Sequence, residues 1–91
     1  MTGKVVKTFT LKNELGLHAR VAVLLVNVSN KYKAKVTFEK DGRIVDGKSI
    51  LGILTLACPK GGAITIVTEG ADAESAMGAF EELIENKFGE N

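Results

Sequence analysis

Residues 33–40 alternate strictly, with Ala34, Val36 and Phe38 set against Lys35, Thr37 and Glu39. A period of two marks a strand with one buried face. Asp41-Gly42 follows at once, a dipeptide that between two such runs signals a tight hairpin. Arg43–Val45 reads as the return strand, stopped by Asp46-Gly47. The rest of the chain has to be arranged around this hairpin.

Lys4–Lys12 reads as a strand with Val5, Phe9 and Leu11 on one face and Lys7 interrupting it. Asn13-Glu14-Leu15-Gly16 is a turn. Val21–Tyr32 carries Val21, Leu24, Leu25, Val28 and Tyr32 at helical spacing, although its valines favour a strand. Its length and the preceding turn tip the balance to helix. The first two turns are apolar almost all round, so Val23 and Val26 are expected to reach solvent. Ser49–Leu56 is a short helix capped by Ser49, its apolar side holding Ile50, Ile53, Leu54 and Leu51. Pro59-Lys60-Gly61-Gly62 breaks the chain before a strand over Ala63–Glu69, which ends at Gly70. Asp72 caps a last helix with the stripe Ala73, Ala76, Met77, Phe80, Leu83 and Ile84. Gly89 falls where a C-terminal cap belongs. The order is β-α-β-β-α-β-α, an α+β arrangement of one sheet with its helices on one face. No repeat or linker divides it, so residues 1–91 are read as a single domain.

Composition narrows the chemistry. The 91 residues include one His and one Cys and no Trp. A protein-built zinc site needs three or four ligands, so no metal centre is expected, and no other cofactor. A lone Cys forms no internal disulfide, which fits a reducing compartment. No apolar run reaches about 18 residues, so no membrane insertion is expected. Met1 leads into a polar, strand-like segment rather than a signal peptide. A cytoplasmic domain is the expectation. Net charge is +1, but residues 1–60 carry eleven Lys/Arg against four acids, while residues 61–91 carry Lys87 against seven. Such a split suits a basic docking face, or two halves that each solvate their own surface.

Gly42–Ser49 matches G-x-x-x-x-G-K-[ST]. Its middle is strand-like Ile-Val, and Asp46 would repel a phosphate, so no nucleotide loop is expected. Asn27-Val28-Ser29 matches a glycosylation acceptor by chance. Cys58, far from His18 along the chain, reads as a small packed or surface thiol.

His18 ends a Gly-containing turn and opens a helix within Gly16-Leu17-His18-Ala19-Arg20. A helix start offers unpaired N–H groups and a partial positive charge. That charge disfavours an imidazolium and welcomes an anion beside the ring. Arg20 adds a planar fork suited to phosphate oxygens. Nucleophile, anion cradle at the Ala19 and Arg20 backbone, and guanidinium are the parts of a phosphohistidine site. A capping or surface histidine is the plainer alternative. Ser49 likewise serves as an N-cap, and as a helix start it also tolerates a phosphate.

Leu15-Gly16-Leu17-His18-Ala19-Arg20-Val21-Ala22 and Gly47-Lys48-Ser49-Ile50-Leu51-Gly52-Ile53-Leu54-Thr55-Leu56 together resemble the HPr family. Lys60-Gly61 and Gly70-Ala71-Asp72 agree. These are histidine-containing phosphocarriers of the bacterial phosphoenolpyruvate-dependent phosphotransferase system. The resemblance implies an open-faced sandwich, a four-stranded antiparallel sheet under three helices. It implies that His18 takes a phosphoryl group on Nδ1 from enzyme I and passes it to an enzyme IIA domain for sugar uptake, with Arg20 stabilising the group. Ser49 matches the serine phosphorylated by HPr kinase/phosphorylase, a modification that slows transfer and can create a surface for a transcriptional regulator. Lys48, Ile50, Leu51 and Leu54 are the candidate docking residues. Such a protein is a carrier, not a stand-alone enzyme, and is expected to be a monomer.

Two positions depart from the family pattern. The residue after the arginine is usually Pro and here is Val21, which restores an N–H. Many sugar-branch members place a small polar residue before the glycine, and here it is Leu15, as in the nitrogen-related branch and some proteobacterial relatives. A nitrogen-branch or purely regulatory relative acting through partner binding is the alternative. A nucleic-acid-binding domain is disfavoured, because aromatics are few and Phe9 and Phe38 point inward.

Overall fold

The computed structural model describes residues 3–90. Its elements are β1 (Gly3–Thr10), α1 (Ala19–Asn30), β2 (Lys35–Lys40), β3 (Arg43–Asp46), α2 (Ile50–Leu54), β4 (Ala63–Gly70) and α3 (Ala73–Glu85), then a single 3-10 turn over Lys87–Gly89. The strands form one antiparallel sheet in the order β1-β4-β2-β3. The last strand in the chain fills the gap between the first two.

The hairpin is as the sequence suggests. Asp41 and Gly42 have φ of 52° and 84°, the left-handed pair that a two-residue loop requires. Lys40 and Arg43 close it as opposed residues. Alternation then sorts the sheet into two faces. Phe38, Ile66 and Lys7 lie in one cross-strand row, and Val36, Thr68 and Val5 in the next. Val36, Phe38, Ile64 and Ile66 are buried there against Val21, Leu25, Ile53, Met77 and Phe80 of the helices. The Phe38 and Phe80 rings meet edge to face, 5.5 Å apart at 84°. Lys7 interrupts the apolar face at the sheet edge, where its Nζ reaches Glu81 of α3 at 3.1 Å. Lys12 pairs with Glu85 at 3.2 Å. These exposed pairs add little stability, but they answer part of the charge split within the molecule.

Several local expectations shift. In α1 the buried residues are Val21, Ala22, Leu25, Val26 and Ser29. Val23 is exposed as expected, whereas Val26 is buried at 8% exposure. The core-facing arc sits one residue over from the apolar stripe because Ser29 can turn inward, its hydroxyl donating to the Leu25 carbonyl at 3.0 Å. α2 is barely more than one turn, so Ile53 alone is fully buried and Leu54 packs partly. Ile50 and Leu51 face solvent at 39% and 77% exposure. Asp72 stands at the N-cap of α3 without capping it. Its carboxylate instead accepts from the Lys33 and Ala34 N–H groups, each at 2.8 Å, tying α3 to the entry of β2. α3 ends at Asn86, so Gly89 is not its cap. Gly89 belongs to the turn beyond, where Lys87, Phe88 and Gly89 all take positive φ and the Phe88 ring is buried. Among the described residues no helix is long and apolar enough to cross a membrane.

Candidate functional site

The loop between β1 and α1 is fastened to the loop before β4. Leu11 N–H donates to Gly62 O and Gly61 N–H to Leu11 O, both at 2.9 Å, and Leu17 N–H donates to Cys58 O at 2.8 Å. Gly16 lies at the closest approach. Its φ is +64°, and a Cβ there would fall 2.5 Å from Cys58 O, so only glycine fits. Cys58 is buried beneath this junction, and burial pushes its thiol pKa up. A neutral, enclosed thiol is packing rather than a nucleophile.

His18 is the N-cap residue of α1, with extended backbone and no capping bond from its ring. Its carbonyl accepts from Ala22 N–H at 2.9 Å, and its own N–H donates to Gly16 O at 3.1 Å. The donors left over at this helix start are the N–H groups of Ala19, Arg20 and Val21, which precede the first intrahelical bond. The N–H groups of Ala19 and Arg20, the candidate cradle in the sequence, are among these donors, and Val21 supplies a third.

The side chain of His18 is partly exposed, and its Nε2 lies 2.7 Å from Glu90 Oε2. Glu90 is held below the ordinary carboxylate range, chiefly by this bond. Asn13 and the Arg20 charge help, while burial works the other way. A carboxylate can only accept, so Nε2 carries the hydrogen and the neutral ring keeps its lone pair on Nδ1. The Asn13 amide also donates to Gly16 O at 2.8 Å. The Arg20 guanidinium runs beside Gly89, its Nη2 3.9 Å from where a Cβ would stand. Among the described residues Arg20 forms no ion pair, leaving its fork open.

Ser49 opens α2, and its hydroxyl accepts from Gly52 N–H at 3.0 Å. The side chains of Lys48, Ile50 and Leu51 are exposed around it, as is Leu15 in the His18 loop. Leu54 differs, being half-buried and packed on the core. α1 and α2 pack together, but no hydrogen bond joins Ser49 to His18. Gly42–Ser49 runs from the hairpin through β3 to the α2 cap, which is no phosphate loop.

Sequence reasoning missed Glu90 and the buried Phe88 that delivers it. The available signal was a large aromatic just past the last helix, followed by glycine and then an acid.

Fold and site together define an open-faced β-sandwich protein that presents a partly exposed histidine at a helix start. The family model "PTS HPr component phosphorylation site" matches residues 5–86. The chain belongs to the HPr family, the phosphocarriers of the phosphotransferase system. It is similar to phosphocarrier protein HPr of Cupriavidus necator, 42% identical over 89% of this chain and 91% of that one. It is also similar to the HPr-like protein Crh of Halalkalibacterium halodurans, 41% identical over 89% of this chain and 96% of that one. In structure it is similar to HPr-C-His of Thermoanaerobacter tengcongensis, with a TM-score of 0.92 and 41% identity over 96% of this chain and 98% of that one.

Proposed function

We propose that this protein accepts a phosphoryl group on Nδ1 of His18 from phosphorylated enzyme I and passes it to an enzyme IIA domain, feeding sugar uptake. The observation that carries this reading is the Glu90 carboxylate on Nε2, 2.7 Å away. It leaves Nδ1 as the nucleophilic nitrogen. The Nδ1 lone pair forms the new P–N bond as the bond to the donor's nitrogen breaks, and the donor ring keeps that electron pair. The His18 ring then bears positive charge, since Nε2 keeps its hydrogen, and the Glu90 carboxylate stabilises it. The Ala19, Arg20 and Val21 N–H groups and the Arg20 guanidinium stabilise charge on the phosphoryl oxygens. The next partner's histidine reverses the sequence. The protein carries the group and does not turn over alone.

Lys48, Ile50 and Leu51 form the docking surface with Leu15, and Leu54 supports it from beneath. A phosphate on Ser49 would add about −1.5 to −2 charge beside these apolar side chains. It would hinder docking there while leaving α2 capped, which supports regulation by HPr kinase/phosphorylase. The protein works as a cytoplasmic monomer. A second reading, a nitrogen-branch or regulatory role, draws on the likeness to Crh and on Leu15 before Gly16.

Incubation with enzyme I and labelled phosphoenolpyruvate tests the proposal. One acid-labile phosphoryl group should appear, and none on His18→Ala. Equal labelling of the variant would rule His18 out. Faster transfer from a nitrogen-branch than from a sugar-branch enzyme I would favour the second reading.

A further inference from the structure

Asn13 looks, in sequence, like one residue of a turn. In the structure it is 1% exposed, although it lies within reach of the partly exposed His18–Glu90 pair. Its Nδ2 donates to Gly16 O at 2.8 Å and reaches the two Glu90 carboxylate oxygens at 3.4 and 3.3 Å. Its Oδ1 is buried without a hydrogen-bond partner among the described residues. An orphaned buried acceptor is unfavourable, and closing a turn does not call for one. What this position uses is the amide's pair of N–H donors. One is fixed by the Gly16 carbonyl, which also receives the His18 N–H. The other is turned toward the carboxylate that holds the His18 ring. Neither aspartate nor serine offers two such donors.

We infer that Asn13 is a positioning residue for phosphoryl transfer, holding the Glu90 carboxylate on His18 Nε2 and so keeping Nδ1 of the ring free to attack. This rests on the reading of His18 as the phosphoryl acceptor. Asn13 touches neither the phosphoryl group nor the reacting nitrogen, and it acts through Glu90.

The test reads the His18 ring directly. Nitrogen-15 NMR of the unphosphorylated protein with a neutral ring should show hydrogen mainly on Nε2. Asn13→Ala should move the ring toward a mixture of tautomers and slow phosphoryl uptake about fivefold, the worth of roughly one net hydrogen bond. Glu90→Ala should do the same. In the Glu90→Ala background, Asn13→Ala should then change neither readout further. An unchanged tautomer in Asn13→Ala, or a second fivefold loss on top of Glu90→Ala, would overturn the inference, since Asn13 would then act only by holding the loop. Asn13→Asp keeps the shape and replaces the donors with a charge that repels Glu90. It should shift the tautomer as Glu90→Ala does, and a wild-type ratio would count against the inference even where Asn13→Ala fails to fold. Should the wild-type protein take no phosphoryl group on His18, the phosphocarrier reading fails, while the tautomer comparison still decides the role of Asn13.

Discussion

Phe88→Ala probes how the segment Lys87–Glu90 is held against the candidate site at His18. Lys87 and Phe88 sit at φ of 53° and 55°, left-handed values that cost a non-glycine residue about 1–2 kcal/mol each. Together that is roughly 2–4 kcal/mol against the turn. The opposing term is the Phe88 ring, 2% exposed, whose truncation within a core costs about 3–5 kcal/mol. The margin is about 1 kcal/mol before the bonds of Glu90 are added. Without the ring the strain has no counterweight, so the turn should release and carry Glu90 away from His18. Because the folded state escapes in this way, the variant should lose only about 1–2 kcal/mol rather than the full core value. For a domain this small that lowers Tm by about 4–16 °C. Denaturant unfolding measures the loss, and the nitrogen-15 signals of the His18 ring report the departure of Glu90. A loss of the full core value of about 3–5 kcal/mol with the His18–Glu90 bond intact would refute the reasoning.

Other perturbations follow from the same geometry. Gly16→Ala must accept both a left-handed φ and a Cβ 2.5 Å from Cys58 O, so urea unfolding should show a loss of roughly 2–4 kcal/mol. Glu90 has its pKa lowered by folding, so its stabilising contribution is complete above the unfolded carboxylate value of about 4.3 and fades as pH falls through the lower folded value. The stability gap between the parent and Glu90→Gln should therefore persist at neutral pH and close in strong acid, as followed by unfolding at several pH values. Ser49→Ala removes the bond from Gly52 N–H and should cost about 1 kcal/mol in unfolding experiments, while phosphoryl uptake by His18 continues.

The sheet and helices were legible because each rests on local periodicity. The hairpin at Asp41-Gly42 and the α3 stripe through Met77, Phe80 and Ile84 follow from spacing alone. The strand order was not legible, since nothing local in β4 says that it inserts between β1 and β2. Helix α1 shows the limit of periodicity. With apolar residues almost all round, the buried arc was decided by tertiary packing and by the self-satisfied hydroxyl of Ser29. Asp72 occupies a capping position, yet two N–H groups of the β2 entry offered its carboxylate better partners. In the site, His18 and Arg20 stand out because a helix start and a turn frame them. Glu90 and Asn13 do not, because their partners lie far away in the chain and the turn that joins them is left-handed at residues that ordinarily avoid it.

Phosphoryl transfer as proposed requires that His18 take the group on Nδ1 rather than Nε2. Enzyme I and phosphoenolpyruvate should phosphorylate protein carrying nitrogen-15 in its histidine ring, and the P–N coupling then identifies the bonded atom. Coupling to Nδ1, with hydrogen retained on Nε2, is the result predicted. A phosphoryl group on Nε2, the nitrogen that faces Glu90, or one carried by any residue other than His18, would contradict it.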